Sequence, residues 1–490
     1  MKKLFQGAVL GAAMLGLVGS ASAAVIEINL YGASAQHLFW NDAADNFLTG
    51  RGCTGVAQDS FDSKQGITKG TCNGGADTVY IRYASKASYD GIKAVRGTGG
   101  DPDGCGSPFQ RKLVNEATCT DWVLGGVACT GLKCVEVNLG CSDVAGRSFI
   151  QQSHGNLKGH LGGGWVDRVF EEADPSGTVK PGIETAGLDS YNPLVVPFGF
   201  FANNTVSKTR CLSPDPTEPT ASAHKAISSW GNQCYDPDED GHSADCIGYY
   251  KCVSGTCSGG VNAGNACTRA NQCPDVALDA TQCTRIPLDN ISRLQANMIF
   301  NGQAWYWTDF GAWYNSDPIV ACFRHAGSGT HATMDLAVMR GNGWGWVLAD
   351  TQNASDPTLW FNDGSSDEMN CVNQLAGAIG YADADQLAGT ANYPNVHALK
   401  YQGVEPKRTK IRNGEYDFWS TQWIYGNPER TAYSTIKTTW IEPLIAFAAD
   451  PANLPVDKAA YWATADEMVY MKATDFNYPG YQGASNPQLP

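Results

Sequence analysis

The chain has 490 residues, of which 34 are basic and 49 acidic, giving a net charge of −15 with 43% apolar and 10% aromatic side chains. Enough apolar surface is present to offset chain entropy, which excludes intrinsic disorder; 55 glycines and only 17% charged residues exclude a coiled coil or helical array. The acidic balance and the lack of any Lys/Arg cluster exclude nucleic acid as a partner.

Met1, Lys2 and Lys3 precede an apolar run from Phe5 to Val18, and Ala21-Ser22-Ala23 follows as a small-residue cleavage site. This pattern predicts a signal peptide over residues 1–23, cut after Ala23, and a protein that is periplasmic or secreted. In such an oxidising space the 17 cysteines are expected to form disulfides. Val25 to Leu30 alternates like a strand, and Gly32-Ala33-Ser34 turns the chain. Ala35 to Leu48 then reads as an amphipathic helix with Leu38, Phe39, Ala43 and Phe47 inward and Ser34 as its cap. Thr78 to Tyr83 is a second strand, followed by a helix from about Tyr89 to Val95. Strands alternating with helices predict an α/β domain. Two stretches break the pattern, Gly97 to Cys134 with four cysteines and Cys211 to Cys283 with eight. Both read as disulfide-stapled loops too poor in apolar residues for ordinary cores. After Ile286 the α/β pattern resumes.

Four small-residue loops follow predicted strands: Gly32 to Ala35, Ser85 to Ser88, Gly140 to Asp143, and Arg324 to Thr330. The first, second and fourth open predicted helices, whose terminal N–H groups and dipole favour anions. Arg324 adds a bidentate fork suited to a tetrahedral oxyanion. Asp143 repels a fully deprotonated oxyanion but accepts a hydrogen bond from a protonated one, so it can separate phosphate from sulfate.

These loops resemble those of the phosphate-specific substrate-binding proteins of ABC importers. Tyr31 to Ala35 is similar to the family's first anion loop, Tyr83 to Lys93 to the second with Ser88 at the ligand serine, and Asn138 to Asp143 to the third. Arg324 with Ser328-Gly329-Thr330 matches the R-x-x-G-S-G-T loop. Val195 to Asn203 resembles the crossover strand, and Ile291 to Trp307 the helix before the fourth loop. Ala35 and Gln36 stand where the family has an aromatic and a proline. Ala326 stands where an acidic residue steadies the arginine, a part that Asp90 is placed to take over, while Lys86 could add positive charge.

The resemblance implies an α/β, two-lobed type II periplasmic binding-protein fold. Residues 24–196 form the first lobe with the insertion 97–134, residues 197–395 the second with the insertion 208–284, and residues 396–490 return to the first. It implies inorganic phosphate held by Ala33, Ser34, Ala35, Ser88, Asp143, Arg324, Ser328, Gly329 and Thr330, with no catalysis and no required cofactor, delivery to an ABC transporter permease, and a monomer. Two alternatives stay open: a secreted phosphatase on the same fold, and an extracellular structural or adhesive protein on a decayed one.

Outside these loops, Asp236, Asp238, Asp240 and Asp245 alternate as in a calcium loop, but Ile247 stands where an EF-hand needs Glu. A short calcium site and a solvated acidic turn are both open readings. No C-x-x-C occurs, so zinc and covalent haem are not expected. His37, His325 and His331 fall near anion loops. Trp305, Trp307, Trp313, Trp344 and Trp346 are expected in core packing. Cys53 can pair with Cys72 and Cys322 with Cys371, each insertion can pair internally, and Cys141 remains as a buried thiol.

Overall fold

The computed structural model describes residues 24–122, 126–149, 156–158, 165–167, 182–211, 233–235, 247–249, 252–257, 264–266, 283–311, 314–324, 327–340, 359–362 and 364–481. The expected signal peptide, the acidic loop of Asp236, Asp238, Asp240 and Asp245, and His325, Ala326, Trp313, Trp344 and Trp346 lie outside the described residues.

The chain enters through β1 (Ala24–Gly32), with Ile28 and Leu30 fully buried, and passes into α1 (Ser34–Gly50). Phe39, Ala43 and Phe47 face the core as the periodicity predicts. Gly32 makes the turn: its φ is +138°, and a Cβ there would lie 2.1 Å from the Cys141 carbonyl oxygen, so only glycine fits. Between α1 and the next predicted strand the structure has a hairpin, β2 (Thr54–Asp62) and β3 (Gln65–Cys72), which no predicted element covers. β2 lacks clean apolar alternation because it is the edge strand with most side chains partly exposed, and Gly66, Thr68 and Gly70 take buried positions in β3 where apolar side chains would mark a strand. The Cys53–Cys72 disulfide joins the residue before β2 to the last residue of β3 and so closes the open end of this hairpin.

β4 (Asp77–Ser85) and α2 (Ser88–Arg96) follow. The first cysteine-rich stretch is also a hairpin, β5 (Gln110–Val114) and β6 (Leu132–Glu136), stapled by Cys105–Cys134 and Cys119–Cys129. It has a small core after all, since Val114, Cys119 and Cys129 pack on Ile67 of the sheet edge with Trp122 alongside. The fully buried Arg82 fixes it in place, donating Nε–H to the Val114 carbonyl at 2.8 Å and pairing with Glu116 at 2.6 Å. β7 (Leu139–Ser142) then carries the third loop.

β8 (Asp189–Asn203) is buried continuously from Leu194, as expected of a strand covered on both faces. Helix α3 (Arg293–Phe300) starts at a capping box of Ser292 and Gln295. It stops at Phe300 rather than near Trp307, because Asn301 and Gly302 (φ +78°) end it. The second half is completed by β9 (Val320–Arg324), α4 (Gly329–Thr333), β10 (Leu359–Asn362), α5 (Ser365–Gln374), β11 (Ala378–Asp383), β12 (Val396–Tyr401) and β13 (Trp419–Gly426).

One mixed sheet runs through the molecule in the order β10-β9-β11-β8-β13-β7-β1-β4-β3-β2, with β12 also on β8. β8 belongs to both halves. Its residues up to Pro197 pair with β13, and from Phe198 onward they pair with β11 and β12. Each half has a parallel centre, β4-β1-β7 in one and β10-β9-β11 in the other. The fold is therefore α/β in two lobes with disulfide-stapled additions. The return to the first lobe comes at β13, later than residue 396, since β12 still pairs with the second half of β8. Among the described residues no helix is long and apolar enough to cross a membrane.

Candidate anion-binding site

Parallel strands deliver their carboxyl ends to one edge of the sheet, where α/β proteins place ligands. Here β1, β4 and β7 end at Ala33-Ser34, Ser88 and Asp143, while β9 and β10 end at Arg324 and Ser365. Close backbone packing makes this convergence possible. A Cβ on Gly91 would lie 2.6 Å from the carbonyl oxygens of both Cys141 and Tyr31, so the glycine lets α2 rest directly on β1 and β7.

In the first lobe, Ser34 opens α1 as its first residue and does not cap it; Ala33 holds the cap position with no side-chain bond. The Ser34 hydroxyl is thereby free of the helix and faces the second lobe, 3.4 Å from Ser365 Oγ and 3.5 Å from Arg324 Nη2. The Ala33 peptide is pinned through its N–H to the Cys141 carbonyl at 2.9 Å, and its own carbonyl accepts from the Tyr83 hydroxyl. Ala35 is buried in the first turn of α1. Ser88 likewise opens α2, and its hydroxyl donates to Asp143 Oδ2 at 3.2 Å while accepting the Asp143 N–H at 3.1 Å.

The second lobe contributes Arg324, only 1% exposed at the end of β9. Its Nη1 donates to Ser365 Oγ at 2.9 Å and to Thr330 Oγ1 at 3.5 Å. Ser328 caps α4 by accepting the His331 N–H, and Gly329 then lies against Ser88 and Asp143 of the other lobe. A Cβ on Gly329 would fall 2.3 Å from Ser88 Oγ. The lobes are closed on one another here, so admitting an anion requires them to part.

Burial sets the charge state of the site. It raises the Asp143 carboxyl to about 6, against lowering contributions from Ser88, Arg324 and Gln422. Asp143 Oδ1 is buried without a hydrogen-bond partner among the described residues. Burial also holds the Glu368 carboxyl far above the usual carboxylate range, against the lowering effect of the nearby Arg324 charge. Glu368 Oε1 accepts the Tyr381 N–H at 2.9 Å, and the Tyr381 hydroxyl accepts the Arg324 N–H at 3.2 Å while lying 2.5 Å from His331 Nδ1.

All nine expected ligand positions, Ala33, Ser34, Ala35, Ser88, Asp143, Arg324, Ser328, Gly329 and Thr330, thus lie on the converging loops. The Arg324 charge acts on the buried carboxyls of Asp143, Glu368 and Asp383. Sequence reasoning passes over Ser365, although Gly364-Ser365-Ser366 is another small-residue loop that follows a strand and opens a helix. It also gives no role to Gln36, which ties α1 to the far side of the site by donating to the Ser142 and Trp423 carbonyls at 3.2 and 3.4 Å. His37 is buried away from any anion role: burial lowers it to about 4, and its Nε2 meets the Ser63 carbonyl at 2.7 Å. Among the described residues, the one grouping with metal-ligand spacing is Asp59 with Cys119 and Cys129, and those sulfurs are bound in a disulfide.

No protein-family model matches the chain. It is similar to a solved putative phosphate ABC transporter substrate-binding protein with bound phosphate from Clostridium perfringens, at 12% identity and a TM-score of 0.40, over 86% of this chain and 93% of the other. It is also similar to an ABC-type phosphate transport receptor from Vibrio cholerae, at 11% identity and a TM-score of 0.37, over 87% and 94% of the two chains. A phosphate-binding protein from Stenotrophomonas maltophilia is similar at 10% identity and a TM-score of 0.36, over 82% and 78%. Such likenesses concern fold, and the reading of the site rests on its own residues.

Proposed function

We propose that the protein is an exported solute-binding protein that captures a tetrahedral oxyanion, phosphate, between its two lobes and delivers it to an ABC importer. The observation that carries this reading is the buried Arg324, ringed by hydroxyls of both lobes (Ser34, Ser365 and Thr330) and facing loops at helix starts. Asp143 supplies the acceptor that a protonated oxyanion needs. Ser34, a hydroxyl that a phosphatase could use as nucleophile, faces Ser365 and Arg324, neither of which is a base, which favours binding over hydrolysis there.

Isothermal titration of the phosphate-depleted protein tests the reading. Phosphate is expected to bind at micromolar affinity or tighter, and sulfate at least an order of magnitude more weakly. Absence of phosphate binding at millimolar concentration overturns it.

A further inference from the structure

We propose that the ligand is a phosphate monoester whose short polar tail fills the cavity beside the anion loops, with hydrogen-bond donors of the tail facing Asp383 and Asp385. This inference rests on the anion-binding reading above and narrows its ligand class.

A cavity of about 500 Å³ lies between the lobes and shares two walls, Ser34 and Ser365, with the cluster around Arg324. One water occupies about 30 Å³ and small-molecule pockets about 300–1,000 Å³, so this space far exceeds the need of a lone phosphate. It is built for a solute with more atoms than the oxyanion.

The groups lining it say what those atoms are. Asp383, at the end of β11, is 5% exposed; its Oδ2 accepts from Gln386 Nε2 at 3.2 Å, and its Oδ1 is buried with no hydrogen-bond partner among the described residues. A buried acceptor left without a donor is costly, so a ligand that donates there gains affinity. Asp385 and Lys458 pair at 2.7 Å with side chains only 4% and 3% exposed, and Asp457 stands 2.9 Å from the same lysine. Carboxylates accept and do not donate, so a complementary tail carries hydroxyl or ammonium groups. Burial and the neighbouring Asp385 raise Asp383 to about 7, and a cationic or hydroxylated tail would favour its ionised form. Both lobes contribute to the cavity wall, so the tail would be enclosed by the same closing motion that encloses the phosphate.

Titration calorimetry of the full chain with inorganic phosphate, glycerol 3-phosphate and phosphoethanolamine tests the inference. At least one ester is expected to bind about tenfold or more tightly than phosphate. Asp383→Asn, and independently Asn392→Trp at the cavity wall, are expected to shrink that preference by about tenfold. Phosphate binding with both esters weaker overturns the inference and leaves the anion reading standing. An ester preference untouched by both variants overturns the placement of the tail. Binding of neither phosphate nor ester removes both readings.

Discussion

Burial of the Asp143 carboxyl raises its pKa to about 6, more than Ser88 and Arg324 offset. Its folded value stands above the unfolded one, so the protonated form is favoured in the fold. Stability from this group is therefore full below about pH 4 and lost as pH rises through 6, a cost of about 3 kcal/mol at neutral pH. Asp143→Asn is expected to melt at a higher temperature than the parent at pH 8, with the difference shrinking at pH 4.5. The same variant should let sulfate compete with phosphate, because the neutral amide no longer demands a proton from the anion. A melting difference independent of pH, or unchanged selectivity, would count against this account. Arg324→Ala should weaken phosphate binding by about 100-fold or more, as loss of a buried charged partner does; retained micromolar affinity would place the site elsewhere. Cys141 lies fully buried between Gly140 and Ser142, and burial pushes its thiol up. A maleimide should leave the Cys141 peptide unmodified in the native protein and label it after unfolding without reductant.

At the scale of elements, the second-lobe half of the site hangs on one covalent link. Cys322 of β9 is bonded to Cys371 of α5, so the strand that ends in Arg324 is joined to the helix that begins with Ser365. The bridge closes 49 residues of sequence separation, for which loop entropy predicts about 4 kcal/mol. Cys322→Ser with Cys371→Ser should lower stability by that order in denaturant titration and weaken anion binding together with it; full affinity in the double variant would separate the bridge from the site. β1, α1, β4 and α2 were legible in the sequence because their apolar residues keep a period to match a buried face. The β2–β3 and β5–β6 hairpins were not, since partly exposed strands, or strands with glycine and polar residues at buried positions, carry little apolar periodicity. The Cys53–Cys72 and Cys322–Cys371 pairings expected from the cysteine arrangement are the ones formed.

At the scale of the molecule, β8 changes partners at Pro197, where the missing N–H suits a break between ladders. The two lobes meet across the site through Ser34 and Ser365, through the Tyr89 N–H donated to the Gly327 carbonyl at 3.2 Å, and through Lys64 and Asp367 at 3.3 Å. Beside these polar contacts, Ala332 of α4 joins the apolar cluster of Tyr31, Ile92 and Val95, so opening would separate a small apolar seam as well. Small-angle scattering should show the radius of gyration falling when phosphate is added, and no such change for Arg324→Ala. An unchanged radius in the parent protein would argue against opening.

Sequence alone determined the α/β class, the small-residue loops that end the parallel strands, the arginine among them and Cys141 as a buried free thiol in the third loop. Those features are local: strand period, helix-start chemistry and residue spacing are written within a few residues of one another. Tertiary structure decided that Ser34 faces the other lobe instead of capping its helix, that Ser365 joins the ring around Arg324, and that burial raises the Glu368 carboxyl near the arginine. It also decided that the anion loops open onto a cavity walled by Asp383, Asp385 and Lys458. Each of these depends on which distant segments the sheet brings together and on how deeply it buries them, and burial is a property that no single stretch of sequence holds.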